Sequence, residues 1–333
     1  MRWLMPILIA VVVLTSPVAG QQGKTEKLQG YAEWRKDHDL VIDGQRVTVD
    51  AQTKLKAKGI SDVDAIPLGY EVDVKGVRLA DGRVLARQLE ARPNGSALFE
   101  KEVREATDEM EAKWLAEGGV FETDKDGKQR LVGKTIDEGP EVDRARRILT
   151  RVTPPYVGAS RLRLHLVQTK DWNAMAMGNG AVWIFTGLLN DMDDDEIAIV
   201  VGHEVAHYTH EHTRRGFRKA MWNQLILAGV IVAAEQIKDD KKKAAVDLAA
   251  VFTVLALQNG YGRNLEDQAD RAGLRYAYEG GYNVTKGPAL WQRFRDKYGD
   301  QNRLLNFFLG NHSVAAARIR NLNREIALNY RRQ

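Results

Sequence analysis

His203-Glu204-Val205-Ala206-His207 sets two imidazoles four residues apart with a carboxylate between them. On a helix, positions i and i+4 lie one turn apart on the same face, so both rings can bind one metal ion. Glu204 stands about 100° around the axis from His203, beside the ion rather than on it, where it can reach a water. Val200, Val201, Val205 and Ala206 make this stretch largely apolar. A pair of surface histidines on an ordinary helix is therefore a poorer description than two partly buried rings that need polar partners.

A catalytic zinc site takes three protein ligands and keeps a further position open. The chain has no cysteine. That excludes thiolate ligands, cysteine nucleophiles and disulfides, and leaves His, Asp or Glu as the third ligand. The best candidates lie in the run Tyr261 to Asp270, where Glu266 and Asp270 are again i and i+4 on an expected helix. One can ligate while the other orients a histidine through its free ring nitrogen. His210, three residues after His207, is a competing ligand. Asp193-Asp194-Asp195 could be offered as a calcium site, but carboxylates before an apolar helix are more simply its N-terminal cap.

The two motifs together resemble the gluzincin peptidase family that includes HtpX-like heat-shock proteases and CAAX prenyl proteases, over about residues 97–325. That signature pairs HExxH with a distant E-x-x-x-D, which implies His203, His207 and Glu266 as zinc ligands, Glu204 as the catalytic base and Asp270 as the orienting carboxylate. A further histidine five residues after the second ligand is met by His212. Asn173-Ala174-Met175-Ala176 resembles the family's edge strand, on which an extended substrate would add by main-chain hydrogen bonds. Arg263 matches a family position and is expected to organise the acidic helix. Asn311-His312-Ser313 and Arg318 resemble a C-terminal His-Pro…Arg segment, with Ser313 in place of proline; His312 and Arg318 are then expected near the zinc, stabilising the oxyanion, or His312 caps the metal in a resting state. A helix cap with a surface arginine is the plainer alternative for that segment.

The elements that must position these groups divide the chain into residues 1–20, 24–95 and 96–333. Arg2, an apolar run from Trp3 to Leu14 and small residues to Gly20 read as a signal peptide cleaved before Gln21. Residues 24–95 carry short alternating runs punctuated by Asp43-Gly44 and Asp81-Gly82, as a small β-barrel or sandwich does. No chemical constellation stands out there, and His38 reads as a surface residue. Arg92 to Gly95 reads as a linker. Beyond it, helices are expected at 97–117, 141–152 and about 194–214. A strand is expected at 161–167, and a strand, turn and strand at 173–186. The apolar stretches Leu225 to Ala234 and Ala244 to Leu257 are short for membrane spans and read as buried helices. The expected class is α+β: a mainly helical zincin-type domain with a small sheet, preceded by a small all-β barrel-like domain.

Net charge +4 and pI near 9.0 arise from scattered basic residues, which points away from nucleic acid and towards a solvated surface. The expected partners are polypeptide substrates, and the chain is expected to have no spanning helix after signal cleavage and to be exported to a periplasm or beyond. The expected activity is zinc-dependent endopeptidase action on unfolded or misassembled envelope proteins. The alternatives are a non-catalytic chaperone that keeps the fold, and a binding role for residues 24–95 towards envelope partners.

Overall fold

The computed structural model describes residues 25–36, 39–92, 99–123, 128–158, 160–227, 240–259, 261–298 and 315–330. The expected signal peptide, His38, most of the linker, His312 and most of the Leu225 to Ala234 stretch lie outside them.

Six strands come first: β1 (Thr25–Lys36), β2 (Asp39–Ile42), β3 (Gln45–Thr48), β4 (Lys54–Ala57), β5 (Glu71–Arg78) and β6 (Val84–Arg92). They form one sheet in the order β3-β2-β1-β5-β6-β4, and β3 also pairs with β6. That extra pairing closes the sheet into a barrel. β3 takes Val84 and Leu85 of β6, and β4 takes Gln88 to Ala91 farther along the same strand. Asp43 and Gly44 both have positive φ, at 44° and 76°, which is what a two-residue hairpin between β2 and β3 requires. Leu40, Ile42, Val47, Val72, Val74 and Leu89 fill the interior.

The second sheet has the order β10-β11-β9-β8-β7, built from β7 (Gly119–Thr123), β8 (Gln129–Ile136), β9 (Arg163–Gln168), β10 (Ala174–Ala176) and β11 (Ala181–Phe185). β11 is buried at every position, as its uninterrupted apolar sequence dictates. Trp183 and Phe185 face one side, with Trp114 of α1 (Glu100–Ala116). Val182 and Ile184 face the other, where α2 (Pro140–Val152), α4 (Asp194–Thr209), α7 (Arg263–Glu279) and α8 (Gly287–Tyr298) share the main core. α3 (Thr186–Asp191) leads into α4, and α9 (Ala315–Asn329) follows α8. The α+β class is as expected. Among the described residues no helix is long and apolar enough to cross a membrane.

One expected helix is two. α4 stops at Thr209, and α5 (His212–Leu227) begins after Glu211, whose φ is 51°. α6 (Asp240–Asn259) takes up the second apolar stretch, though Leu248 and Val251 are exposed on it. Asp193 caps α4 in a reciprocal box with Glu196. Lys286 Nζ sits 2.6 Å from Asp193 and 2.8 Å from Asp195, so a lysine already balances the acidic run.

Candidate metal centre

α4 supplies His203, Glu204 and His207; α7 supplies Glu266 and Asp270, all buried. The two helices cross at glycines. A Cβ on Gly273 would stand 2.5 Å from the His203 nitrogen, and one on Gly202 would stand 2.6 Å from the Gly273 carbonyl oxygen. Only a pair without side chains permits this approach, and it brings the α7 carboxylates within reach of the α4 imidazoles.

Three donor atoms converge. His203 Nε2 and His207 Nε2 are 2.9 Å apart, and Glu266 Oε2 lies 3.2 Å from the first and 3.6 Å from the second. Ligands at about 2.0–2.1 Å in a tetrahedron stand about 3.3–3.4 Å from one another, so the triangle fits one small divalent ion. These three residues form a group able to hold a metal ion. The other Glu266 oxygen accepts the Tyr261 backbone N–H at 2.9 Å.

The outer ring nitrogens are also occupied. Asp270 Oδ1 lies 2.9 Å from His203 Nδ1. Burial would raise the Asp270 carboxyl, but the Arg318 charge and its hydrogen bonds bring it down to about 2. Arg318 Nε and Nη2 donate to Asp270 at 2.8 and 2.5 Å, and the guanidinium stacks 3.7 Å from the Trp291 ring centre. Arg318 therefore belongs to the buried centre and is not a surface residue; its fork is directed at Asp270. Its Nη1 is buried and has no hydrogen-bond partner among the described residues.

His212 Nδ1 lies 2.8 Å from His207 Nδ1. In an unbroken helix His212 would sit about 140° around from His207; the break at Glu211 turns it back. Burial, with His207 and Arg215 adding to it, holds His212 neutral. Tyr261 stacks on His207 with ring centres 4.4 Å apart. His210 is outside the ligand triangle: its ring meets the carbonyls of Ala206 and Ala32, and burial keeps it neutral, with a pKa down at about 3. Arg263 stands exposed at the start of α7, one turn ahead of Glu266.

Glu204 Oε2 accepts the Ala176 N–H at 3.0 Å. Burial pushes its carboxyl up to about 7; the His203 charge opposes the rise and Glu266 adds to it. β10 is the outermost strand of its sheet. Asn173, Met175 and Met177 turn their backbone groups towards β11, so those of Ala174 and Ala176 point to the outer edge, where the Ala176 N–H meets Glu204. Ala174, Met175 and Ala176 are buried, as is Asn173 just ahead of the strand. A cleft of about 460 Å³ opens beside His207, lined by Leu68 and Tyr70 of the barrel, Val103, Tyr156, Arg161 and Gly178.

Tyr261, Gln268 and Trp291 complete the centre without having been singled out in the sequence. The first two lie within the Tyr261 to Asp270 run, and their roles come from tertiary contacts.

Residues 29–90 match a domain of unknown function, DUF5666. The chain is similar to "Metalloendopeptidase OMA1, mitochondrial" of Bos taurus, 30% identical over 39% of this chain and 25% of that protein. It is 28% identical to the "Putative beta-barrel assembly-enhancing protease" of Vibrio cholerae, over 40% of this chain and 28% of that protein. It is 27% identical to "Metalloprotease YcaL" of Escherichia coli, over 49% of this chain and 60% of that protein. The chain thus spans about a quarter of the length of the bovine and Vibrio relatives. The model of peptidase family M48 matches residues 144–326, which include the whole ligand triangle, and the chain belongs to that family.

Proposed function

We propose that the protein is a zinc-dependent endopeptidase acting on extended segments of unfolded polypeptide. The observation that carries this reading is the triangle of His203, His207 and Glu266 donor atoms, with the Glu204 carboxylate buried beside it on the same helix. A zinc ion held there supplies the Lewis acidity that polarises a scissile carbonyl and acidifies a water to a pKa of about 7.

The remaining work falls to side chains and backbone. Glu204 takes a proton from water and returns it to the leaving amine, a role suited to a carboxyl that burial has brought near neutrality. Asp270 accepts from His203 Nδ1 and fixes the ring tautomer whose lone pair is on Nε2. Arg318 holds Asp270 ionised, and its Nη1, which meets no acceptor among the described residues, is a candidate donor to developing negative charge on the substrate. A substrate strand enters by the cleft that joins Gly178 to His207 and pairs with the outward backbone groups of Ala174 and the Ala176 carbonyl, the Ala176 N–H being held by Glu204. This pairing selects extended main chain rather than a particular sequence. The leader-like residues 2–20, together with the name of the Vibrio relative, favour export and clients among envelope proteins.

The test is cleavage of casein by the full chain, with and without a chelator, beside Glu204→Gln. Zinc content should be unchanged in the variant while turnover falls about 10²–10⁴-fold. Chelation should stop the wild type and zinc restore it. Undiminished cleavage by Glu204→Gln would refute the assignment of the base. A zinc-loaded wild type that leaves casein and envelope extracts intact would favour the chaperone reading instead.

A further inference from the structure

The polar contacts around His207 continue beyond the metal centre into the barrel. His207 Nδ1 and His212 Nδ1 are 2.8 Å apart, so one of these atoms carries a hydrogen and the other accepts it. When His207 presents its Nε2 lone pair to an ion, the hydrogen is on its Nδ1 and His212 accepts. His212 must then donate from Nε2, and the Gln268 Oε1 atom lies 3.2 Å away to receive it. The same oxygen accepts Arg215 Nη1 at 2.7 Å. The Gln268 amide nitrogen donates to Glu33 Oε1 at 3.3 Å and Asp43 Oδ1 at 3.0 Å, both on the barrel.

The direction of this relay is set at its ends. A guanidinium only donates and an ionised carboxylate only accepts. A flipped Gln268 would turn its NH₂ towards Arg215 and its oxygen towards two carboxylates, so the barrel fixes which end faces His212. Glu33 and Gln268 are both buried, and Arg271 pins Glu33 with bonds of 2.5 and 3.0 Å. The α7 helix that carries Glu266 thus also carries both side chains that grip the barrel carboxylates.

We propose that Glu33 and Asp43 of the barrel are positioning residues for the metal centre, acting through Gln268 and His212 to hold His207 in its metal-binding tautomer. This rests on His203, His207 and Glu266 being the zinc ligands. None of the four residues in the relay touches the ion or the scissile bond. The barrel becomes part of the peptidase's working centre, and the pairing of the two folds in one chain acquires a chemical reason.

The test is zinc affinity of the full chain, by competition with a chromophoric chelator, combined with ¹⁵N-histidine spectra that report tautomers. Gln268→Leu should weaken zinc binding about 10–100-fold, and His212 should lose its single Nε2–H form. Glu33→Gln with Asp43→Asn should shift both readouts in the same direction from the barrel side, and it serves equally if Gln268→Leu does not fold. Glu111 of α1 bonds Arg163 and His165 of β9 in a separate network, and Glu111→Gln should lower thermal stability and leave zinc affinity unchanged. Wild-type affinity and tautomers in the Gln268 or barrel variants overturn the relay, as does an equal loss of affinity in Glu111→Gln. A wild-type chain that takes up no zinc overturns the ligand assignment and the relay together, so the two failures are distinguishable.

Discussion

Replacing Gly273 with alanine perturbs the metal centre while leaving every ligand in place. The added Cβ would lie 2.5 Å from the His203 nitrogen and 2.7 Å from its Cα, both backbone atoms that cannot swing aside. Ordinary contact begins at about 3.4 Å, so α4 and α7 must separate by roughly 0.9 Å at the crossing. Coordination distances hold within about 0.2 Å. Glu266 lies two turns along α7 from Gly273, so a separation of that size carries it out of bonding range of the imidazoles unless the helix bends. Zinc affinity should fall at least about tenfold, or about 1.4 kcal/mol. Overpacking should cost the metal-free protein about 1–3 kcal/mol as well. Chelator competition measures the first effect and denaturant melts of the metal-free protein the second. Gly287→Ala is the control, because its Cβ would meet Leu274 at a comfortable 3.6 Å. If Gly273→Ala binds zinc and melts like the wild type, the glycine crossing does not set the ligand spacing.

Three further outcomes are expected. Asp270→Asn leaves the Arg318 charge buried without its partner and should cost about 3–5 kcal/mol in denaturant melts; the double variant with Arg318→Met should regain most of that stability without regaining zinc affinity. A single variant as stable as the wild type would contradict this. In the metal-free protein, burial opposes protonation of His203, but hydrogen bonds to Asp270 and Glu266 prevail and raise its pKa to about 9. Zinc must displace that proton, so apparent affinity should rise about tenfold per pH unit up to about pH 9. Calorimetry in buffers of different ionisation heat that detects no proton release near neutrality would rule this out. Burial would raise the Glu111 carboxyl, but bonds from His165 and Arg163 bring it down to about 2, below its usual 4.5. A folded pKa below the unfolded one gives stability that is complete above about pH 4.5 and is lost as pH falls towards 2. Glu111→Gln should flatten the melting-temperature curve in that window, and parallel curves would count against the network.

The legible part of the centre was the local part. HExxH and the Glu266–Asp270 pair are i, i+4 relations within single helices, so sequence spacing alone brings their side chains to one face. The hairpin at Asp43-Gly44 was readable for the same reason. The break before His212 was not, because Glu211 is an ordinary helix former and no glycine or proline marks its left-handed backbone. Arg263 matched a motif position yet stands in solvent, since a position in a motif says nothing about what a long side chain will meet. Residues 24–95 looked free of chemistry because Glu33 becomes meaningful only against Gln268, 235 residues away. Glu111, Arg163 and His165 likewise meet across about fifty residues, in a cluster that no local pattern announces.

The sharing of β6 between β3 and β4 bears on how the barrel behaves in a crowd. Closure consumes one long edge of β6 twice over and leaves β4 at the rim, four residues long, with Lys54 and Lys56 exposed. A short rim studded with ammonium groups is a poor template for a neighbouring chain's strand. Copies of the protein packed at high concentration should therefore resist stacking through their barrels, even where unfolded chains with sticky strands are abundant.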